Sequence, residues 1–233
     1  GGEIMGQALI TRRGVPMLAP DVDEVYEQLI NYTMLYDAGD ECKEITGGWE
    51  SQTDSGTTAT KNADHLYCYS GTGSRRMSTF GTKNSIDLTP YTKSLTKSRK
   101  NVKNSSGGYS AAGVYGTVPS SITNTTYNKV DSVAFEIDTN FNQGQYTYDA
   151  MYLTLRDLEA AKAEIGVNVY ARIYALTTSS SYWAHEYLYS LSLFKPDDYK
   201  TLCKKAGFSA PTDLATLIAD TSKLTTIFAS KDA

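Results

Sequence analysis

The alternation over residues 167–175, VNVYARIYA, constrains this chain more than any other feature of its sequence. Side chains two positions apart lie on the same face of a β-strand, and the apolar residues here fall at every second position. The segment is therefore predicted to be a central strand with one face in a hydrophobic core. The side chains predicted to point into that core are Val167, Val169, Ala171, Ile173 and Ala175.

Short segments of strand-like sequence recur through the middle of the chain, separated by turns rich in Gly, Ser, Thr and Asn. The 18 tyrosines add to this pattern because tyrosine and threonine favour strands. Many short strands between such turns predict an antiparallel β-sandwich. Residues 51–64 are predicted to be a loop or a weak edge strand, and residues 156–164 a short helix or a loop. The other predicted strands are residues 32–36, 42–45, 65–69, 77–80, 86–95, 109–118, 130–138, 151–155 and 183–194.

Both ends of the chain differ from this middle. Residues 1–20 are predicted to be an arm, in which Pro16 and Pro20 interrupt any regular element, and residues 21–31 a short helix capped by Asp21. Residues 213–220 and 223–230 share the pattern x-L-x-T-[LI]-[IF]-A-x, which predicts two short amphipathic helices. Helices of this length are unstable alone and must pack on neighbours. The predicted division is therefore an arm and helix at 1–31, a sandwich at 32–195 and a helical appendage at 196–233.

Composition excludes several classes of function. The 22 basic residues are outnumbered by 26 acidic ones, so there is no basic footprint for nucleic acid. No apolar stretch is long enough to predict a membrane span. The three cysteines fit no zinc spacing. Cys42 and Cys68 could pair across strands, or, with Cys203, all could be buried free thiols.

The sequence offers little for catalysis. The two histidines, His65 and His185, are far apart, and there is no nucleophile elbow or glycine-rich phosphate loop. Glu136 and Asp138 share one predicted strand, where they form either a glycosidase-like carboxylate pair or an outward polar face. We favour the polar face, and we therefore predict no enzyme, no catalytic residue, no metal site and no cofactor.

Sugar binding would need aromatic platforms beside amides and carboxylates. The candidate ligand-binding residues are Tyr67, Tyr69, Tyr182 and Trp183, whereas Trp49, which follows a Gly-Gly turn, is predicted to lie in the core. Five basic residues within 93–103 indicate either a solvated strand face and loop that protects a sheet edge, or a contact for an anionic glycan.

Four stretches resemble known proteins. Residues 85–95, SIDLTPYTKSL, predict a strand, a turn at Thr89-Pro90 and a second strand; within them, residues 86–93 resemble the corner of jelly-roll modules of the galactose-binding or carbohydrate-binding type. Residues 35–50, LYDAGDECKEITGGWE, resemble the opening of the sandwich module in phage tail-associated proteins of Gram-positive gut bacteria. Residues 8–14 resemble the start of such proteins, and the terminal repeat resembles the short-helix arrays that follow their sandwich modules.

The resemblance implies a mainly β fold: a jelly-roll-like antiparallel sandwich with a short N-terminal helix and a small C-terminal helical appendage. It implies a virion tail-associated protein, assembled in the bacterial cytoplasm, whose sandwich binds a host-surface glycan or serves tail assembly. The partners expected are that glycan, other virion proteins and further copies of the chain, with a trimer as the expected homo-oligomer. The alternative is an extracellular setting, as a bacterial surface adhesin or a non-catalytic carbohydrate-binding module of a secreted protein.

Overall fold

The structure of the protein is a computed structural model. It describes residues 9–12, 15–18, 32–71, 76–103, 107–116, 134–138 and 147–195. Contacts between Cα atoms divide the chain into two compact units, one of Gly1–Tyr32 with Asp197–Ala233 and one of Thr33–Pro196. The helices predicted at 21–31 and within 196–233, and Cys203, lie outside the described residues, so the proposed division into three parts stays a prediction.

The unit Thr33–Pro196 is a sandwich of two antiparallel sheets, which confirms the predicted jelly-roll-like β fold. Sheet 1 consists of β4 (Trp49–Thr53), β7 (Arg76–Thr82), β8 (Ile86–Asp87), β10 (Gly108–Tyr115), β11 (Ala134–Glu136) and β13 (Asn168–Thr177). Its order is β11-β10-β13-β7-β4, and β8 also pairs with β13. Sheet 2 consists of β3 (Tyr32–Asp37), β5 (Thr58–Lys61), β6 (Leu66–Ser70), β9 (Lys93–Lys103), β12 (Thr147–Asp157) and β14 (Trp183–Phe194). Its order is β12-β9-β14-β6-β5, and β3 also pairs with β14.

The predicted central strand is β13, which pairs with β10 on one side and with β7 and β8 on the other. Val169 and Ile173 are fully buried in the core between the sheets, as are the two alanines of the alternation. The prediction fails only at Val167, which precedes the strand and is 38% exposed. The core is completed by apolar residues of both sheets, among them Leu66, Phe80, Val114, Leu188 and Leu191.

The lysine-rich stretch is a central strand and not a loop or an edge. β9 pairs with β12 along its whole length and with β14 on its other side. The prediction that its lysines protect a sheet edge is therefore wrong. The edges of the two sheets include β4 and β5, in agreement with the weak edge strand predicted at 51–64.

The Thr89-Pro90 corner joins several elements. The amide of Thr89 donates to Asp87 Oδ1 (2.9 Å) and the amide of Tyr91 donates to the Leu88 carbonyl (3.0 Å). The amide of Thr92 then donates to the Phe194 carbonyl at the end of β14 (2.8 Å). These bonds hold the turn between β8 and β9 and place the start of β9 beside the end of β14.

One predicted strand, residues 42–45, is wrong, because a short helix, α1 (Lys43–Thr46), takes its place. Cys42 has φ 49° and its amide donates to Asp40 Oδ1 (2.8 Å), while Thr46 Oγ1 donates to the Glu41 carbonyl (2.6 Å). Gly47, at φ 70°, ends the turn. Local side-chain-to-backbone bonds therefore outweigh the strand propensity of the segment.

The helical alternative for residues 156–164 is confirmed by α2 (Glu159–Ile165), which ends at Gly166 with φ 86°. The predicted arm also contains regular structure, since β1 (Leu9–Arg12) and β2 (Val15–Leu18) form a hairpin. Pro16 lies within β2, opposite Thr11. A two-stranded ribbon tolerates a proline because each strand has one side without a ladder partner.

Trp49 lies in the core as predicted, 1% exposed, and its indole Nε1 donates to the Leu35 carbonyl (3.0 Å). Cys42 and Cys68 are both free, and Cys68 is buried. Burial raises the pKa of the Cys68 thiol well above its usual range, because no solvent stabilises the thiolate.

Candidate functional site

The outer face of sheet 2 carries a cluster of aromatic side chains. In β14, residues 184, 186 and 188 are buried, and the residues between them are half-buried on the opposite face. In β6 the same alternation buries Leu66 and Cys68 and turns two tyrosines outward. Tyr67 lies opposite Tyr187, and Tyr69 opposite His185. We call these outward rings the aromatic surface: Tyr67, Tyr69, Trp183, His185, Tyr187 and Tyr189.

Most of these rings contact one another. The ring centroids of Tyr67 and Tyr187 are 4.9 Å apart, and those of Tyr69 and His185 are 4.7 Å apart. His185 and Tyr187 have nearly parallel rings, at an interplanar angle of 11°. His65, just before β6, adds a ring 5.3 Å from that of Tyr189. Pairs at such separations stabilise one another. Here they join every ring of the aromatic surface except that of Trp183, together with His65, in one cluster.

Cationic side chains of β9 lie along the same face. Lys97 is over the ring of Tyr189 (5.8 Å), Arg99 over Tyr187 (5.2 Å) and Lys103 over Trp183 (4.9 Å). Arg99 is held from its other side, because Nε and Nη2 donate to the two carboxylate oxygens of Asp149 at 2.8 and 2.6 Å. The face therefore combines aromatic rings with fixed charged and polar groups.

The electrostatics of the surface follow from partial burial. Burial, with the nearby Tyr187 and Tyr69, raises the pKa of Tyr67 to about 12, so its hydroxyl remains protonated at neutral pH. Burial also lowers the pKa of His185, although the charge of Asp149 opposes this. Tyr67 Oη and His185 Nδ1 share a hydrogen bond of 2.8 Å. At neutral pH these rings present uncharged donors and acceptors beside the cations of β9.

Three of the four residues predicted to bind a ligand meet on this surface: Tyr67, Tyr69 and Trp183. Tyr182 lies apart from it, before the start of β14, where its ring packs against Gly107 so closely that a Cβ there would overlap the ring. Whether any of the four touches a ligand stays a prediction.

Residues that the sequence prediction missed make up much of the surface. His185, Tyr187 and Tyr189 follow Trp183 at every second position of β14, and Lys97, Arg99 and Lys103 share the outward register of β9. That period of two was a usable signal. The pairing of β14 with β6 and β9 in one sheet was not readable from the sequence.

A separate cleft of about 660 Å³ lies beside α1 and β4. Its lining includes Glu41 with Lys61 and Glu50 with Lys83, which form two ion pairs. Because these charged groups already have partners, and the cleft presents no stacked rings, the aromatic surface is the stronger candidate for a binding site.

No group of three or more His, Cys, Asp or Glu side chains that could hold a metal occurs in the part of the chain that the structure describes. The described helices are also too short and polar to cross a bilayer. The favoured interpretation of Asp138, an outward polar strand face, is wrong: Asp138 follows β11 and is fully buried. The side chain of Glu136 lies outside the described residues.

Comparisons with known proteins found distant structural likenesses and no sequence relative. No family model matches the sequence, and no curated protein matches it. Among solved structures, a family 29 carbohydrate binding module from Piromyces equi is 13% identical with a TM-score of 0.33, over 72% of this chain and 93% of that one. A variant of another family 29 module is 11% identical with a TM-score of 0.32, over 70% and 91%. The glycoside hydrolase domain of Endo-D from Streptococcus pneumoniae R6 is 12% identical with a TM-score of 0.34, over 63% and 22%. Likenesses of this size transfer no ligand, so any function for this chain rests on its own surface.

Proposed function

We propose that the sandwich is a non-catalytic module that binds a glycan chain on the aromatic surface. The observation that carries the proposal is the cluster of half-buried rings on one outer sheet face, flanked by the Arg99–Asp149 pair. Monomeric proteins seldom leave such an array of large rings at the surface without a binding role.

The chemistry suits a sugar polymer. Pyranose rings present C–H faces that pack on the negative faces of aromatic rings, while their hydroxyls bond to amides, guanidinium groups and carboxylates. Asn101 lies in the row of Tyr69 and His185, and Arg99 in the row of Tyr67 and Tyr187. From residue 183 to residue 189 the rings on β14 extend about 20 Å, at roughly 3.3 Å per residue, which is the length of several sugars. An open face of this kind accepts an internal stretch of a chain.

Binding is tested by affinity electrophoresis and calorimetry of the full chain with soluble polysaccharides: a neutral β-glucan, a mannan and polygalacturonate. Oligothymidylate serves as a nucleic-acid comparison. We expect binding to at least one polysaccharide, and a loss of at least about tenfold in affinity, or 1.4 kcal/mol, for Tyr67→Ala and Tyr187→Ala. Tyr170→Ala, which changes a half-buried tyrosine in sheet 1, is the matched control and should bind normally. If the full chain binds none of the polysaccharides, the proposal is wrong. It is also wrong if the three variants bind with equal affinity.

For the biological setting we propose a virion tail-associated protein, with the surface facing a host-cell glycan. The support is the sequence resemblance of residues 35–50 and 86–93 to such proteins. Antibodies against the chain should then label the tails of virions from the source strain, and tail or capsid genes should flank its gene. Flanking genes for glycan metabolism or secretion would favour the alternative of a cell-surface adhesin or secreted module.

We also propose that the chain forms a homo-oligomer, with a trimer expected, through its predicted terminal helices. The repeat units at 213–220 and 223–230 each offer three large apolar residues on one side, too few to fold alone. Light scattering should give a multiple of the chain mass for the full chain and a lower multiple after truncation following Phe194. Equal monomer masses for both would contradict this assembly role.

A further inference from the structure

One lysine and two carboxylic acids are buried together inside the sandwich, away from the aromatic surface. Lys100 of β9, Glu186 of β14 and Asp138 after β11 are each 0% exposed. Lys100 and Glu186 lie directly opposite each other in sheet 2. Lys100 Nζ is 2.7 Å from Asp138 Oδ2 and 3.4 Å from Glu186 Oε2.

Bonds from both sheets fix this arrangement. Lys100 Nζ donates to the Ser110 carbonyl of β10 (2.6 Å), across the core. Ser98 Oγ of β9 donates to Asp138 Oδ2 (3.2 Å). The amide of Ile137 donates to the Ala112 carbonyl (2.9 Å), which anchors the residue before Asp138 along β10. The amine and the carboxyl group are thus held together by strands of opposite sheets.

The interior stabilises ions poorly. Burial raises the pKa of Glu186 well above its ordinary value, against the opposing charge of Lys100. Among the described residues, Asp138 Oδ1 and Glu186 Oε1 have no hydrogen-bond partner of normal geometry. A buried ion is costly, and the neutral form of Glu186 is correspondingly favoured.

We propose that Lys100 Nζ and Asp138 Cγ condense to an intramolecular amide bond, with Glu186 as the catalytic proton carrier. One proton of the Lys100 ammonium passes to the Asp138 carboxylate, and the amine that results attacks Cγ and forms the C–N bond. The Glu186 carboxyl group donates its proton to the departing hydroxyl and accepts one from the nitrogen, so the C–O bond breaks and one water molecule leaves. No oxidant, cofactor or second substrate is needed, and Glu186 ends in its starting state.

The geometry and the medium both favour this step. Cγ is bonded to the oxygen that lies 2.7 Å from Nζ, so the amine and the carboxyl group are already in direct contact and need no approach through solvent before attack. In water at neutral pH the condensation is disfavoured, because ammonium and carboxylate are strongly solvated when apart. The interior removes that solvation. The product would tie sheet 2 at its central strand β9 to the segment following β11 in sheet 1.

Mass spectrometry of the denatured full chain tests the proposal. The wild-type protein should weigh one water molecule less than its sequence predicts. A tryptic digest should contain a branched peptide that joins residues 100–103 to residues 130–156, because an acylated Lys100 is no longer cleaved. A full sequence mass in folded wild-type protein after prolonged incubation, or a water loss without the branched peptide, would overturn the bond and leave only a buried ion cluster.

Variants separate the roles. Lys100→Arg keeps the charge but lacks the nucleophilic amine and should retain the full mass. Glu186→Gln keeps both reacting groups and should show the bond lost or formed only slowly in folded protein. Lys97→Arg, on the outward face of the same strand, is the matched control and should lose water as the wild type does. If Lys100→Arg fails to fold, the wild-type mass and the Glu186→Gln variant still decide, and complete bond formation in Glu186→Gln would remove Glu186 from the reaction.

Discussion

On each outer face of the sandwich an arginine lies 5.2 Å over a tyrosine ring, but the two pairs have opposite surroundings. Arg172 and Tyr115, outside sheet 1, are at most 1% exposed. They sit beside a second apolar cluster that contains Met77, Tyr174 and Leu176 together with Tyr115. Arg99 and Tyr187, outside sheet 2, are only half-buried.

The surroundings change what the same pair does. Asp149 accepts two hydrogen bonds from Arg99. This interaction raises the pKa of the guanidinium and lowers the pKa of the carboxyl group. Arg172 Nε donates to Thr79 Oγ1 (3.0 Å), but Nη1 and Nη2 have no hydrogen-bond partner in the described part of the chain, and burial lowers the arginine pKa. The face of sheet 1 is therefore buried at this pair, whereas the face of sheet 2 leaves its rings and charges partly exposed.

A substitution on the inner face of β13 gives the loss of folding free energy with which substitutions on the two outer faces can be compared. Val169→Asp places a charge among fully buried apolar residues and should lower the free energy of unfolding by about 4–5 kcal/mol, in the upper tail of single substitutions. Val167→Asp, two residues earlier and exposed, should change it by less than about 0.5 kcal/mol. Chemical denaturation measures both. Equal effects would mean that β13 does not have this register.

The two tyrosines should separate stability from binding. Tyr115→Ala removes a fully buried ring and should cost about 3–5 kcal/mol of folding free energy, with normal glycan affinity in the folded fraction. Tyr187→Ala removes a half-buried ring and one cation–π contact, and should cost about 1 kcal/mol while binding is lost. Denaturation curves and calorimetry on the same samples give both quantities. The reverse assignment of effects would place the binding face on sheet 1.

Much of the fold could be predicted because its strands alternate over most of their length. The sequence of β13 follows a period of two, and β14 does so up to a register shift between Leu188 and Ser190. β14 begins and ends where the sequence predicts. The predictions failed where local bonds decide the backbone: α1 depends on the Asp40 and Thr46 side chains, and β2 accommodates Pro16 in a ribbon.

The sequence could predict which residues of each strand share a face with the site, but not which strands are neighbours in the sheet. Alternation places Tyr67 and Tyr69 on one face of β6, and Trp183 begins the outward set of β14. That these strands are neighbours, and that β9 brings Arg99 to the same face, depends on long-range pairing, which propensity does not encode. The same alternation in β9 puts Lys100 inward, opposite to Lys97, so its burial could have been inferred once β9 was recognised as a central strand.

Replacing the two arginines tests whether the buried and the exposed cation differ in their effects on stability and binding, as the two tyrosines are expected to. Arg172→Met should change stability by less than about 1 kcal/mol, because the lost cation–π contact is offset by relief of a buried, incompletely bonded guanidinium. Arg99→Met should cost about 0.5–1 kcal/mol, as an exposed ion pair does, and should also weaken glycan binding. A loss above about 3 kcal/mol for Arg172→Met would show that its charge is compensated after all, since breaking a buried pair costs that much.

The smallest expected effect is a pH dependence confined to the aromatic surface. Burial places the folded-state pKa of His185 below its ordinary 6.5, Asp149 opposes this shift and Arg99 adds to it. Between 6.5 and that lower value the unfolded chain binds more protons than the folded one. The contribution of His185 to stability is therefore fully present above pH 6.5 and declines as the pH falls through this window.

The measurement is the difference in Tm between wild type and His185→Gln, followed from neutral pH to about one unit below the ordinary histidine pKa. As the pH falls, the Tm of the wild type should fall relative to that of the variant. Only the wild type has a half-buried imidazole whose protonation is less favourable in the folded state than in the unfolded state. Tyr67→Phe removes the hydroxyl that bonds His185 Nδ1 but keeps the ring, so the window should persist if burial sets the shift. A pH-independent difference would show that His185 is as well solvated as in the unfolded chain. The rings of Tyr69 and Tyr67 lie 4.7 and 5.9 Å from that of His185 and should shield it from water. A pH-independent difference would therefore mean that water reaches His185 despite these two rings.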